Sequence, residues 1–468
     1  MTVSALRQLR HRVRNAVAPE CGWPERLRRN RRRVAWSAAI IAAVNVPLVI
    51  LALVGLPHVF RNPLVRNVMA RGVKGVPTVG NEAGFSDEFT LLTGTALTPG
   101  NSVEVLANGD GTFARLWQDL RAAQRSITVQ MYYAGPGAVA DSVSRILAER
   151  SRSGVDVYFL YDAFGAQDLP WRNLDTLRAA GVRVSEFRPL RWYALDRANH
   201  RSHVRGVVVD GAVGYTGGFG FDDKWLGGGR SPREWRETNV RFLGPAVMQL
   251  QAVFVAKWAE AVGELLAGEA LFPAGGVAGS GEGVSGGPAA LLYSPPLTGS
   301  TTAERLLALS IASARRRLYI TNAYFIPHAD FVQLLAEAAR WGVDVRILTN
   351  GTRTDVRTTW LAGRSRYEPL LAAGVRIYEY RPTTVHSKTF VVDSEWSAIS
   401  TMNFDNRSLA YNNEVALVVR DRAVGATMDS LFVEDLRFAE EISLASFRRR
   451  PWTARLIERA AGVLANVL

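Results

Sequence analysis

The chain is poor in sulfur and in lysine. Of 468 residues one is cysteine, Cys21, which excludes an internal disulfide framework and a cysteine-built zinc site. Lys74, Lys224, Lys257 and Lys388 are the four lysines among 56 Lys and Arg, so arginine is the default cation and each lysine stands out. Acidic residues number 43, leaving a formal net charge of +13. The 41 glycines follow no period, which excludes collagen, and a 48% hydrophobic content excludes a wholly disordered chain. A soft prior of about 150 residues per domain allows two or three domains. The basic excess suits phosphate, nucleic acid or anionic lipid without choosing among them.

Residues 34–56 carry no charge. As a helix this run is roughly 35 Å long at about 1.5 Å per residue, enough to cross a hydrocarbon core of about 30 Å. It is long for a signal peptide and no small-residue cleavage pattern follows it, so it reads as a single-span anchor. The basic segment 1–33 holds ten arginines, ending in Arg31-Arg32-Arg33, and the excess of positive charge places that end in the cytoplasm. Arg61, Arg66, Arg71 and Lys74 follow closely and leave the face of the catalytic part open. Residues 57–100 read as a connecting segment.

Beyond residue 100 the chain repeats itself. Residues 179–189 (AAGVRVSEFRP) return at 372–382 as AAGVRIYEYRP, and SGVDVYFLYD (153–162) returns as WGVDVRILTN (341–350). Val207-Val208-Val209-Asp210 returns as Phe390-Val391-Val392-Asp393. Strand-like runs alternate with helical ones in both halves, which predicts an α/β fold with helices on the sheet faces. The first repeat spans 101–272 and the second 290–445. The connector 273–289 is almost all Gly, Ala, Ser, Pro and Val and reads as a flexible linker. Duplicated halves pack about a pseudo-two-fold axis with a site at the seam.

The second half carries His386, Lys388 and Asp393, then Ser400, Thr401, Asn403 and Glu414. Alternation along a strand puts His386 and Lys388 on one face. A histidine, a cation and neutral donors converging on one spot suit a tetrahedral phosphate, with the histidine as nucleophile or general acid and the donors stabilising charge on oxygen. Glu414 is placed to hold the His386 imidazole in one tautomer. The first half carries His203, Arg205 and Asp210 at the same spacing, followed by Gly218 and Glu237. An Asp closing a strand commonly caps a turn, and Asp210 and Asp393 read that way. The pairs Tyr132-Tyr133 and Tyr324-Phe325 read as packing at strand ends.

This pattern resembles the duplicated H-x-K-x4-D motif of the phospholipase D superfamily. The segments YTGGFG (215–220), WRETNVRFLGPAV (235–247) and NFDNRS (403–408) look like those of bacterial cardiolipin synthases. The resemblance covers residues 100–445. It implies two α/β/α repeats about a pseudo-two-fold axis and a membrane phosphatidyltransferase of the bacterial inner membrane that makes cardiolipin from phosphatidylglycerol. It also implies that His203 forms a phosphohistidine and His386 serves as acid and then base. The catalytic set it implies is His203, Arg205, Asp210, His386, Lys388 and Asp393, with Ser400, Thr401, Asn403 and Gly218 on the phosphate and Glu237 and Glu414 orienting the histidines. No cofactor or metal is implied, and nucleic acid is not the favoured partner. A hydrolase of the same superfamily and a non-catalytic lipid-binding member are the alternatives.

Two departures stand out in the first half. Arg205 stands where the family has Lys, and a planar fork is not a compact ammonium. Gly220 stands where it has Asn, and loss of one transition-state donor costs about 3 kcal/mol. Asn239 and Asn199 are candidates to replace that donor, and His200 lies near at the wrong spacing. Lys388, in a chain where arginine is the default, marks the second half as a working site. The segment 446–468 opens with Arg448-Arg449-Arg450-Pro451-Trp452 and continues with one apolar helical stripe. It suits an anionic lipid surface or packing on the domain.

Overall fold

Val207, Val208 and Val209 set the architecture of the first half. Their side chains alternate, Val207 and Val209 entering one apolar core and Val208 another. Phe390, Val391 and Val392 do the same in the second half. The computed structural model describes residues 65–69, 75–189, 199–273, 286–296 and 301–463, with positions 36, 45, 46 and 49 before them. The chain divides after His58, and both halves lie in the unit Val59–Leu468. The run 34–56 lies outside the described residues apart from those four positions, as do segment 1–33 and most of the connector. Among the described residues no helix is long and apolar enough to cross a membrane.

The first sheet holds β1 (Ser102–Ala107), β2 (Ser126–Met131), β3 (Asp156–Asp162), β4 (Arg183–Phe187), β5 (Gly206–Val209), β6 (Val213–Gly217) and β7 (Thr238–Leu243), in the order β1-β7-β6-β5-β2-β3-β4. The second holds β8 (Ala289–Ser294), β9 (Arg317–Asn322), β10 (Asp344–Asn350), β11 (Arg376–Tyr380), β12 (Lys388–Val392), β13 (Trp396–Ser400), β14 (Glu414–Arg420) and β15 (Ala439–Ile442), in the order β8-β14-β13-β12-β9-β10-β11-β15. The seven shared positions match strand for strand. In each sheet β2-β3-β4 or β9-β10-β11 pair in parallel and the other shared pairs are antiparallel. β15 is an extra edge strand, antiparallel to β11.

Six helices matter below: α1 (Ala138–Arg152), α2 (Pro245–Val262), α3 (Ala329–Arg340), α4 (Arg357–Arg364), α5 (Arg422–Leu436) and α6 (Trp452–Val463). α2 begins with Pro in its first turn and stops at Gly263, whose φ of 80° gives a left-handed cap. Asp421 caps α5 by accepting the N–H groups of Ala423 and Val424. α3 buries Phe331, Leu334, Leu335 and Ala338 on one face. Between the two sheets lies a shared apolar core. Val204, Val208, Val240, Phe242 and Leu250 of the first half meet Tyr319, Val385, Val391, Ile399, Leu417 and Phe432 of the second. That core fuses the halves and fixes the seam between them.

Candidate active site

The site begins with two backbone contacts across the seam. The N–H of His203 donates to the carbonyl of Asn413 at 3.0 Å, and the N–H of His386 donates to that of Arg236 at 2.7 Å. Parallel bridges Ser202–Asn413 and Arg236–Val385 flank them. Asn413 and Arg236 immediately precede Glu414 and Glu237, so each bridge delivers a glutamate from one half to the histidine of the other. Nδ1 of His203 lies 3.0 Å from both carboxylate oxygens of Glu414, and Nδ1 of His386 lies 2.7 Å from Oε2 of Glu237. Spacing along the chain suggests pairing within each half; the fold crosses the pairs instead. A carboxylate only accepts, so each Nδ1 carries the proton and each Nε2 presents a lone pair.

Arg205 and Lys388 bring the charge. Nη2 of Arg205 lies 3.4 Å from Nε2 of His203, and the same guanidinium donates to the carbonyl of Gly218. Its Nε is buried with no hydrogen-bond partner among the described residues, as is Oδ1 of Asn403. Lys388 donates to the carbonyl of His386 and shares a small void with Ser400 and Asn403. Arg205 and Lys388 act on both imidazoles, as expected of one cleft.

Burial dominates the ionisation of all these groups. It lowers the pKa of His203, against the pull of Glu414. It takes His386 well below the usual imidazole range, with Lys388, Arg205 and His203 adding to the effect. Lys388 is brought down to about 7 by burial, opposed by Glu237, and burial pushes Glu237 up against the two cations. The free site is a desolvated, cation-rich hole with neutral imidazoles, which an anion completes.

Several residues expected on the phosphate do other work. The Ser400 hydroxyl donates to the carbonyl of Lys388 at 2.9 Å, and the Thr401 hydroxyl donates to Glu414. Both position the machinery. Gly218 contributes a carbonyl and the absence of a side chain: a Cβ there collides with the Glu237 carboxylate. Asp210 and Asp393 end their strands seven residues beyond the histidines, about 20 Å away at about 3.3 Å per residue. With φ of 55° and 53° they accept backbone N–H groups, Asp210 from Gln124, Arg125 and Ser126 and Asp393 from Arg315, Arg316 and Arg317. This is the turn-closing role; as catalytic residues they are corrected.

Gly220 also has a cause. A Cβ at this position would lie 2.7 Å from Cζ3 of Trp225 and 2.9 Å from the Tyr133 carbonyl, so the indole of Trp225 occupies the space an Asn side chain would need. Trp225 points its Nε1 at Oε2 of Glu237, 3.4 Å away. The proposed substitutes do not serve. Asn239 is held by Thr112 and the N–H of Phe219, and Asn199 accepts from Arg407. His200 is tied to the Tyr411 carbonyl at 3.0 Å.

Aromatic residues are what sequence reasoning missed. The Tyr132 ring meets His203 edge-on at 4.7 Å. Trp225 and Trp235 flank His386 at 5.4 and 5.0 Å. Tyr132 directly follows β2, so its place at the end of a parallel strand, where α/β sites open, was a usable signal.

Residues 116–258 and 307–436 match the family model described as "Cardiolipin synthase, PLD-like domain". The chain is 35% identical over 366 residues to the cardiolipin synthase of Geobacillus thermodenitrificans, covering 78% of this chain and 72% of the relative. It is 34% identical over 371 residues to cardiolipin synthase A of Pseudomonas fluorescens, covering 79% and 75%. Among solved structures, phosphatidylserine synthase from Haemophilus influenzae superposes with a TM-score of 0.59 at 12% identity, covering 82% of this chain and 100% of that one. Polyphosphate kinase from Porphyromonas gingivalis gives 0.51 at 13% identity, covering 78% and 53%. These two likenesses speak to the fold alone.

Proposed function

The chain belongs to the cardiolipin synthase family of the phospholipase D superfamily, and we propose on that premise that it is a phosphatidyltransferase joining two molecules of phosphatidylglycerol into cardiolipin and releasing glycerol. The observation that carries the reading is the pair of crossed histidine–glutamate contacts, which engage both Nδ1 atoms and leave each Nε2 for chemistry, with Arg205 and Lys388 acting on both imidazoles. Nε2 of His203 attacks phosphorus, and the bond from phosphorus to the glycerol oxygen breaks. His386, charged once the phosphodiester is bound, gives its Nε2 proton to the leaving oxygen. It then takes the proton of a hydroxyl on the second phosphatidylglycerol. That oxygen displaces Nε2 of His203 from phosphorus and cardiolipin forms. Arg205 and Lys388 balance the charge on the non-bridging oxygens. His203 is assigned as nucleophile on the family resemblance, with Arg205, 3.4 Å from its Nε2, placed to meet the phosphate oxygens; exchanged roles for His203 and His386 are the alternative.

Association with a membrane is part of the proposal. It is supported by the uncharged run 34–56 and by α6. This helix turns inward a polar contact, Glu458 with Arg364 and Arg450 at 2.8 Å, beside Ala461, which packs on Ile326 and on Ala362 of α4. Its exposed side carries Trp452, Leu456 and Val463. That inverts the pattern of a helix docked in a water-soluble fold and suits a lipid surface.

The test is to incubate the purified chain with phosphatidylglycerol labelled in its acyl chains and to separate the products by thin-layer chromatography. Cardiolipin with one equivalent of glycerol is expected. Phosphatidic acid as the main product assigns hydrolysis instead, and unchanged substrate assigns a non-catalytic role.

A further inference from the structure

Lys224 is one of only four lysines, and three rings enclose its ammonium. Nζ lies 3.5 Å from the ring centre of Tyr133, 4.4 Å from that of Trp235 and 4.8 Å from that of Trp225. Burial lowers its pKa to about 8, with Asp222 and Asp355 opposing and Arg205 adding to the effect. Three aromatic faces around one point form the set that recognises an ammonium ligand. Here the protein's own side chain fills it.

The cage is held in place. Asp222 accepts the N–H of Lys224 at 3.0 Å, Asp223 accepts those of Ala138 and Val139 at the start of α1, and the N–H of Trp235 donates to the Lys224 carbonyl at 2.6 Å. It also adjoins the reaction centre. Trp225 and Trp235 are the rings that flank His386, and the Arg205 guanidinium sits 5.6 Å from the ring centre of Trp225. The same two indoles thus face the Lys224 ammonium at 4.4 and 4.8 Å and the His386 ring at 5.0 and 5.4 Å, so the cage is a neighbour of the reacting imidazole. Tyr133, Trp235 and Lys224 are only partly buried, so the cage opens to substrate.

Resting on the transfer reading above, we propose that Tyr133, Trp225 and Trp235 form the headgroup subsite and that Lys224, by occupying it, excludes phospholipids with cationic headgroups and admits uncharged polyol headgroups. Below about pH 8 an ethanolamine or choline headgroup meets the positive charge of Lys224 where a glycerol meets hydrogen-bond donors. Removal of the lysine side chain leaves three rings around an open space, a site that welcomes the headgroups it now rejects. The chemistry is otherwise the same. The bond from phosphorus to the headgroup oxygen breaks as His203 Nε2 bonds to phosphorus, and the proton of His386 goes to the departing ethanolamine oxygen.

The experiment uses the full chain in neutral detergent micelles. Phosphatidylglycerol and phosphatidylethanolamine are supplied together, and the ratio of free ethanolamine to free glycerol is read for wild type, Lys224→Ala and Lys224→Arg. Lys224→Ala, which empties the cage, is expected to raise the ratio about tenfold or more, while Lys224→Arg, which keeps a cation in the cage, stays near wild type. An unchanged ratio in Lys224→Ala overturns the proposal. A titration of tetramethylammonium chloride followed by calorimetry reads the subsite without turnover. Saturable binding is expected to Lys224→Ala and not to wild type; no binding to a Lys224→Ala protein that unfolds at the wild-type midpoint refutes the cage. Should wild type yield no cardiolipin while Lys224→Ala binds tetramethylammonium, the transfer reading fails and the subsite stands.

Discussion

The crossed pairing of imidazoles and carboxylates has a direct mutational signature. Glu414→Gln acts on His203 and Glu237→Gln acts on His386, each through a partner from the other half. Each is expected to lower kcat by about 10²-fold or more, as loss of a tautomer-fixing partner does. In NMR titrations of the imidazoles, Glu414→Gln is expected to move His203 more than His386, and Glu237→Gln to move His386 more than His203. The larger shift on the histidine of the same half would contradict the crossed assignment. Lys388 gives a second signature. Its pKa is held down to about 7 by burial, so its charge is lost as pH rises through that value. The kcat/KM of wild type is expected to fall on the alkaline side from near pH 7. Lys388→Arg, charged throughout, loses that limb at a lower maximum. An alkaline limb identical in the two proteins argues against a charged Lys388 in the reaction. Both histidines, both cations and both glutamates were legible as residues, because their chemistry and spacing recur. Which glutamate meets which histidine was not, because sequence distance favours neighbours within a half and a seam between halves leaves no mark on spacing.

At the scale of the strand, the two aspartates of the repeated motif separate from the chemistry. Asp393 caps the turn after β12 and gathers three backbone N–H groups that start β9. Asp393→Ala leaves those donors without an acceptor and is expected to cost about 2–4 kcal/mol of stability. The readout is the denaturant midpoint, with kcat per folded molecule preserved; a lost kcat at unchanged stability would place Asp393 in catalysis. The strand–helix alternation was readable because β5 and β12 are short continuous apolar runs, each closed by an aspartate turn. The filling of the Gly220 position was not. Trp225 lies five residues on, and only the turn at Asp222–Trp225 folds its indole back over the glycine.

For the whole molecule, the matched strand orders of the two sheets were foreshadowed by three repeated blocks in one order. The shared core between the sheets was not, since an apolar strand does not say which of its faces meets the twin. Neither half holds a complete histidine–glutamate pair, so the active unit is the fused pair. On this mechanism a phosphatidyl group rests on His203 while His386 manages the proton. The most direct test is mass spectrometry of the wild-type protein, mixed with phosphatidylglycerol and quenched in acid-free denaturant within the first turnovers. A phosphatidyl adduct is expected on the peptide bearing His203, with none in His203→Ala and with slowed adduct formation in His386→Ala. An adduct on any other residue, or cardiolipin made by His203→Ala, overturns the mechanism.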